Sequence, residues 1–216
     1  MEEIQEEPKV KLLWTTPEAE RIVLYTARVS SDNRESDNTK LLGYLIRNKH
    51  FSPFEMANMT VEIEGNRSIL RQILRHRTFH FQEFSLRYAS PSENSLITTQ
   101  ARRQDLKNRQ NSIDDLSPQI KKEWEDKQIS VNKKVFETYE WALENGIAKE
   151  CARAVLPEGN TKSILCMNGT LRSWIHYLEL RCGNGTQKEH IEIANQIKEI
   201  FKKEFPIISK ACFQGN

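Results

Sequence analysis

Residues 58–77 read NMTVEIEGNRSILRQILRHR, and the period of their apolar positions changes partway along. Met59, Val61 and Ile63 alternate with Thr60, Glu62 and Glu64, the repeat of a strand with one buried face, ending at Gly65. From Asn66 onward Ile69, Leu70, Ile73 and Leu74 recur at helical spacing, and the Asn66 side chain is placed to cap the first turn. A strand running straight into a capped helix predicts that the two pack together, with Arg71, Gln72 and Arg75 off the apolar face. The helix runs out at 75–77, where a polar motif begins.

Outward from this pair, VKLLW (10–14) reads as a short strand, and Thr16 with Pro17 opens a helix over 17–30. A further helix over 38–50 gives way to a loop at His50, Ser52 and Pro53. Ser117 and Pro118 start a long helix that stops at Gly146, with Ile120, Trp124, Val131, Val135, Tyr139 and Leu143 as a stripe expected in the core or at a subunit interface. Shorter helices are expected over 148–157, which carries Arg153, and over 170–181. Thr186 and Glu189 have capping-box spacing before a last amphipathic helix with Ile191, Ala194, Ile197 and Phe201. Few strands among many helices predict an α+β fold. One domain over 1–216 is expected, with 1–9 a flexible extension.

Thirty-two Lys and Arg against thirty Asp and Glu leave a net charge of only +2. Whole-chain attraction to nucleic acid or membrane is thereby excluded, and any cationic site must be local. No run of eighteen apolar residues exists, and the opening MEEIQEEPKV lacks the apolar core of a signal peptide, so a soluble cytoplasmic protein is expected. Cys151, Cys166, Cys182 and Cys212 lie far apart without zinc-ligand spacing and read as reduced thiols, with no metal site. Cys151 and Cys166 are placed in apolar helical context. None of the eight glycines forms GxGxxG or GxxxxGK, which argues against a Rossmann-type dinucleotide site.

Residues 75–88, RHRTFHFQEFSLRY, carry the chemistry. Between 67 and 87 the chain has Arg67, Arg71, Arg75, Arg77 and Arg87 with His76 and His80, against Glu83 alone. A basic helix end in solvent would explain one such arginine. It does not explain aromatic rings interleaved with guanidinium forks and hydroxyls, which suit the phosphate and base of a nucleotide. Single-stranded nucleic acid would suit the same mixture, by stacking and phosphate contacts. Ser85, a hydroxyl among guanidinium groups, reads as a phosphate ligand more readily than as a nucleophile. Glu83 reads as an ion-pair partner that keeps the arginines in place, and His190 as structural.

The RHR tripeptide followed after seven residues by Ser85 resembles the signature of the flavin-dependent thymidylate synthases. TARVS (26–30), HFSPFEM (50–56), ECARAVLP (150–157), LRSWIHYLELR (171–181) and QKE (187–189) follow in that family's order, so the resemblance covers most of the chain. It implies a mostly antiparallel sheet packed with several helices, a homotetramer with shared active sites, and methylation of dUMP to dTMP. FAD would be the cofactor, with methylenetetrahydrofolate and NADPH as cosubstrates, and no nucleic acid or membrane partner. Carried over by position, Gln72, Arg75, Glu83, Phe84, Ser85, Leu86, Arg87 and Arg181 would hold dUMP, with Arg153 reaching in from a neighbouring subunit. His50, Ser52, Arg75, His76, Arg77, Glu83, Thr170, Arg172 and His176 would hold FAD. His80, Gln82 and Thr170 stand where Ser, Asn and Asn are usual, and each keeps a hydrogen-bonding group.

The implied reaction can be weighed against the residue inventory. Methylating uracil at C5 needs electron density there, and no cysteine is an evident thiolate nucleophile. An arginine beside N3 offers another route, because its fixed charge favours the ionised pyrimidine; Arg181 is the implied catalytic residue. Converting methylene to methyl takes a hydride, which no side chain can donate, so a reduced flavin is required.

Overall fold

In the computed structural model, which describes residues 7–92, 95–183 and 185–213, the alternation at 58–64 forms a strand, β2 (Asn58–Asn66), with Met59, Val61 and Ile63 fully buried. It is flanked antiparallel by β1 (Lys9–Thr15) and β6 (Lys162–Thr170), and β3 (His80–Glu83) pairs with the far edge of β6, giving the order β1-β2-β6-β3. An α+β fold with an antiparallel sheet is what the sequence implied. The central strand β6 was not foreseen. Its buried face is Ser163, Leu165, Met167 and Gly169, while Ile164 on the other face is exposed, so polarity does not alternate along it.

Asn66 ends β2 in extended backbone, and its Oδ1 accepts from Ser68 N at 2.8 Å, capping α3 (Arg67–Ile73) as expected. The helix is shorter than the predicted 66–77. Beyond Leu74 the chain tightens: Arg75 N donates to Gln72 O (3.3 Å), His76 N to Ile73 O (3.0 Å) and Phe79 N to His76 O (3.2 Å). These i→i−3 bonds turn the chain back to the sheet and seat Phe79 on β6.

α6 (Leu171–Arg181) leaves β6 directly and buries Trp174, whose Nε1 donates to Met59 O at 2.9 Å. α7 (Lys188–Glu204) buries Ala194, Ile197 and Phe201 as predicted, with Ile191 half-buried. Its Gln196 donates to Pro8 O (2.6 Å) and accepts from Val10 N (3.0 Å), which ties the start of β1 to the helix. Residues 1–6 of the expected extension lie outside the described residues. The capping box at Thr186 and Glu189 is not formed: α7 starts after Gln187, without a side-chain cap, and the Glu189 carboxylate is drawn instead to Arg102.

α1 (Ala19–Ala27) and α2 (Lys40–Arg47) are trimmed versions of the predicted 17–30 and 38–50 helices. α2 ends on Lys49 in the left-handed region (φ 58°), with His50 N donating to Leu45 O and Lys49 N to Ile46 O, a Schellman closure that delivers His50 to the following loop. That loop is a 3-10 turn, Ser52–Met56. A final helix, α8 (Pro206–Phe213), was not foreseen. Its first N–H groups, Ile207 N and Ile208 N, are accepted by Glu20 Oε1 of α1 at 2.8 Å, a cap supplied by a residue remote in sequence.

A two-stranded hairpin, β4 (Arg103–Gln104) with β5 (Ser112–Ile113), precedes α4 (Pro118–Glu144). α4 is capped by Ser117 and stopped by Gly146 (φ 75°), both as read from sequence. Its orientation corrects the core alternative for the stripe. Tyr139 is buried, but Ile120, Trp124 and Val131 are exposed, and Glu125, Gln128 and Asn132 face inward. The reason lies in the extended segment 97–99, which α4 covers. Asn132 Nδ2 donates to Ile97 O (3.1 Å), Gln128 bonds both Thr99 N and Thr99 O (2.9 Å each), and Trp124 Nε1 donates to Thr99 O (3.0 Å). Backbone outside a ladder needs side-chain partners, and α4 supplies them. α5 (Lys149–Ala152) and a 3-10 turn at Arg153–Val155 replace the single helix expected over 148–157. Among the described residues no helix is long and apolar enough to cross a membrane.

One close approach can be tested directly. A Cβ built on Gly169 would overlap the Phe79 ring. Gly169→Ala is expected to destabilise the fold by about 1–3 kcal/mol, the usual range for overpacking, read as a lower urea midpoint. An unchanged midpoint would show that Phe79 is not held against β6.

Candidate active site

Three elements converge on the RHR turn. α6 brings Arg181 to it, α3 brings Gln72, and α7 brings His190. Arg181 Nε donates to His76 Nε2 at 2.9 Å. The accepting nitrogen must be unprotonated, so His76 is a neutral imidazole with its proton on Nδ1. Its ring packs edge-on to Tyr177 (4.9 Å between centroids) and near Phe79 (6.3 Å). Phe79 in turn meets Trp174 at 4.7 Å. Burial, followed by the charge of Arg181 and the neighbouring His176, lowers the His76 pKa to about 4. Beside it lies fully buried His190, held at 3.1 Å from Tyr177 Oη and with Nδ1 3.4 Å from Gln72 Oε1. Burial, then Arg181 and His76, lowers the His190 pKa to about 3. Burial likewise pushes the Tyr177 hydroxyl up.

Alongside is a cavity of about 500 Å³ lined by residues including Phe51, Thr78, Thr170, Arg172, Ser173 and His176. Thr170, Arg172 and His176, all predicted flavin contacts, therefore share one hollow. Thr170 also caps α6, its Oγ1 accepting from Ser173 N at 3.3 Å, and Ser173 Oγ donates to Thr78 O at 3.2 Å. Arg172 is paired with Glu55 of the 3-10 turn. Ser52 opens that same turn, and exposed His50 precedes it with its ring 6.1 Å from that of Tyr44. Arg75 and Arg77 are exposed and make no ion pair among the described residues.

The remaining predicted residues form a separate group beyond β3. Glu83 is 3.5 Å from Arg67 Nη1 and 3.2 Å from Arg71 Nη1, the ion-pair role read from sequence. Phe84 N donates to Ile164 O at 2.9 Å, extending the β3–β6 ladder by one residue, and Leu86 is buried. Ser85 Oγ accepts from Arg87 N (3.3 Å), Arg87 pairs with Glu150 (3.1 Å), and Arg153 Nε donates to Glu150 O (3.3 Å). Arg87 and Arg153 thus meet around Glu150 within one chain. No hydrogen bond or ion pair among the described residues links this group to Arg181 or His76.

Several residues of the site were given no role from sequence. Tyr177 and Gln187 lie in stretches that carry the family resemblance but were not singled out, Arg102 joins only through a tertiary contact, and His190 was read as structural. Arg102 Nη2 donates to Glu189 Oε2 at 3.0 Å, and Nη1 lies 2.6 Å from Oε1, an ion contact without hydrogen-bond alignment. Burial works to raise the Glu189 pKa, but the bond and charge of Arg102 outweigh it and hold the carboxyl below its ordinary value. Burial raises the thiols of Cys182 and Cys212, the latter to about 12. Cys151 lies on α5 and is exposed, while Cys166 lies on strand β6, not in a helix, because the 162–170 segment pairs with two strands. Among the described residues no cluster could hold a metal ion.

The two neutral histidines give a pH prediction. Each has a folded pKa below its unfolded value near 6.5, so the unfolded chain takes up protons first as pH falls. Their contribution to stability is complete above about 6.5 and is lost as pH drops towards 4. The imidazole resonances of His76 and His190 are expected to keep their neutral positions at pH 5.5; a midpoint near 6.5 for either would overturn the burial argument.

The family model described as "Thymidylate synthase complementing protein" matches residues 11–207. A flavin-dependent thymidylate synthase of Synechocystis sp. is 53% identical over 193 residues, covering 89% of this chain and 88% of the relative. A probable flavin-dependent thymidylate synthase of Paramecium bursaria Chlorella virus 1 is 52% identical over 196 residues, covering 89% and 90%. Among solved structures, the UMP/dUMP methylase PolB from Streptomyces cacaoi bound with 5-Br dUMP superposes with a TM-score of 0.82 at 27% identity, covering 97% of this chain and 96% of that one. With a family model over most of its length and relatives more than half identical, the chain belongs to the flavin-dependent thymidylate synthase family and is a methyltransferase.

Proposed function

We propose that this protein methylates dUMP at C5 to give dTMP, with FAD as hydride carrier, methylenetetrahydrofolate as carbon donor and NADPH as reductant, releasing tetrahydrofolate. The observation that carries the reading is Arg181 bonded to neutral His76 beside the cavity of Thr170, Arg172 and His176. The residues present suit a flavin. The cavity offers the Phe51 ring, hydroxyls and a guanidinium, and Arg77, without an ion pair among the described residues, adjoins Thr78 of its lining. Thr170, Arg172, His176, His76, Arg75 and Arg77 would hold it, with His50 and Ser52 at the adjoining 3-10 turn and Glu83, which lies apart in this chain, as a further contact. When bound, the flavin supplies the hydride that turns methylene into methyl.

The chain's own residues do the rest. Arg181 has an uncharged partner in His76, so its charge is not neutralised there and can favour the ionised pyrimidine at N3. Gln72, Arg75, Glu83, Ser85, Arg87 and Arg153 bind and orient the nucleotide, with the Phe84 and Leu86 backbone beside them. The grouping of Ser85, Arg87 and Arg153 apart from Arg181 supports a homotetramer whose sites are completed between subunits. The exposed Ile120, Trp124 and Val131 of α4 support the same assembly. We take residues 1–216 as one domain acting in the cytoplasm, with neither nucleic acid nor membrane as partner; the near-neutral net charge supports this.

The test is the visible spectrum of the purified protein, followed anaerobically with dUMP and NADPH. A flavin band bleached by NADPH is expected, with dTMP formed once methylenetetrahydrofolate is added. A colourless protein that takes up no FAD would sink the proposal. Arg181→Lys is expected to keep flavin and lose roughly 10²-fold in kcat, the scale of a lost transition-state donor. An undiminished kcat would remove Arg181 from the chemistry.

A further inference from the structure

A chain of hydrogen bonds runs from Glu189 to Tyr177, and its direction follows from chemistry alone. Glu189 is held by Arg102 as a carboxylate, which can only accept. The Gln187 amide must therefore turn its NH2 to Glu189 Oε2 (3.0 Å), leaving its oxygen for Gln72 Nε2 (2.8 Å). Gln72 Oε1 is then left facing His190 Nδ1 at 3.4 Å, which must donate, and His190 Nε2 must accept from Tyr177 Oη at 3.1 Å. Every group in the sequence has one allowed orientation. Gln72 is half-buried, and its second Nε2–H has no partner among the described residues.

We propose that the Glu189–Gln187–Gln72–His190–Tyr177 chain is a positioning device that locks the Gln72 amide with Nε2 towards the nucleotide, so that the site presents an N–H donor and selects an acceptor oxygen on its substrate. The inference rests on the reading of Gln72 as a nucleotide contact. Glu189 sets the polarity from one end, and His190, closed off from solvent, holds the Gln72 oxygen at the other by donating from Nδ1. Without either, the amide can rotate and offer its oxygen, which repels the acceptor it should bind. The low basicity of buried His190 keeps it in the single-proton form the chain needs.

Dissociation constants of dUMP from the flavin-loaded protein, measured by titration calorimetry, test this. Glu189→Gln and His190→Leu are each expected to weaken dUMP about five- to tenfold, the size of one net hydrogen bond. His190→Asn, whose amide N–H can stand in for Nδ1–H, should recover most of the loss. In a Gln72→Ala background, Glu189→Gln should add less than about twofold, because the group being oriented is gone. Full additivity in that background, or wild-type affinity in His190→Leu, would overturn the proposal. Binding by the wild-type protein that Gln72→Ala leaves unchanged would overturn it as well, while sparing dUMP as the substrate. No dUMP binding by the wild-type protein would bring down the functional reading itself, and this inference with it.

Discussion

The contact of Phe79 with Gly169 is the constraint on which the site depends. Phe79 lies at the end of the RHR turn, and the missing side chain at Gly169 lets its ring lie on the central strand. From there it packs against Trp174 and Tyr177 of α6, and Trp174 is fixed to β2 through Met59 O. An aromatic cluster anchored on the sheet thus sets the height and angle of the turn. His76 leans on the same cluster through Tyr177, so Arg181 meets it in one place.

Charge around the turn is sorted by which cations have carboxylate partners. Arg67 and Arg71 share Glu83, Arg87 has Glu150, Arg172 has Glu55 and Arg102 has Glu189. Arg181 is bonded to a neutral imidazole, and Arg75 and Arg77 have no ion-pair partner among the described residues. The local positive field of a chain with a net charge of only +2 therefore comes from the RHR turn and the end of α6. A protonated His76 could not accept from Arg181 and would repel it, which is why the burial that keeps it neutral matters to the site as well as to stability.

Legibility followed the range of the interaction. Asn66, Ser117 and Gly146 act on backbone within a few residues, and their caps and stop were read correctly. The β6 strand was missed because its buried face ends in Ser163 and Gly169, and Gly169 is explained only by a ring ninety residues earlier in the chain. Thr186 and Glu189 have the spacing of a capping box, yet Glu189 is taken by Arg102 from a distant loop. α8 is capped by Glu20, again a partner no local pattern reveals. The RHR motif marked the turn around which the candidate site is built. The surrounding Tyr177, His190 and Gln187 became visible only when three helices were brought together.

α4 connects that site to the outside of the molecule. Its Gln128 and Asn132 are spent on the backbone at 97–99, and Asn160 joins them by donating to Ile97 O (3.0 Å) and to Gln128 Oε1 (3.1 Å). Held in this way, the segment leads within three residues to Arg102, which fixes Glu189 at the start of α7. A helix that buries its polar side to hold a loop must turn its apolar side outward, and α4 does so with Ile120, Trp124 and Val131. Under the proposed tetrameric assembly that outward face is where a second subunit would pack. The same inversion would then serve the interior of one site and the completion of another.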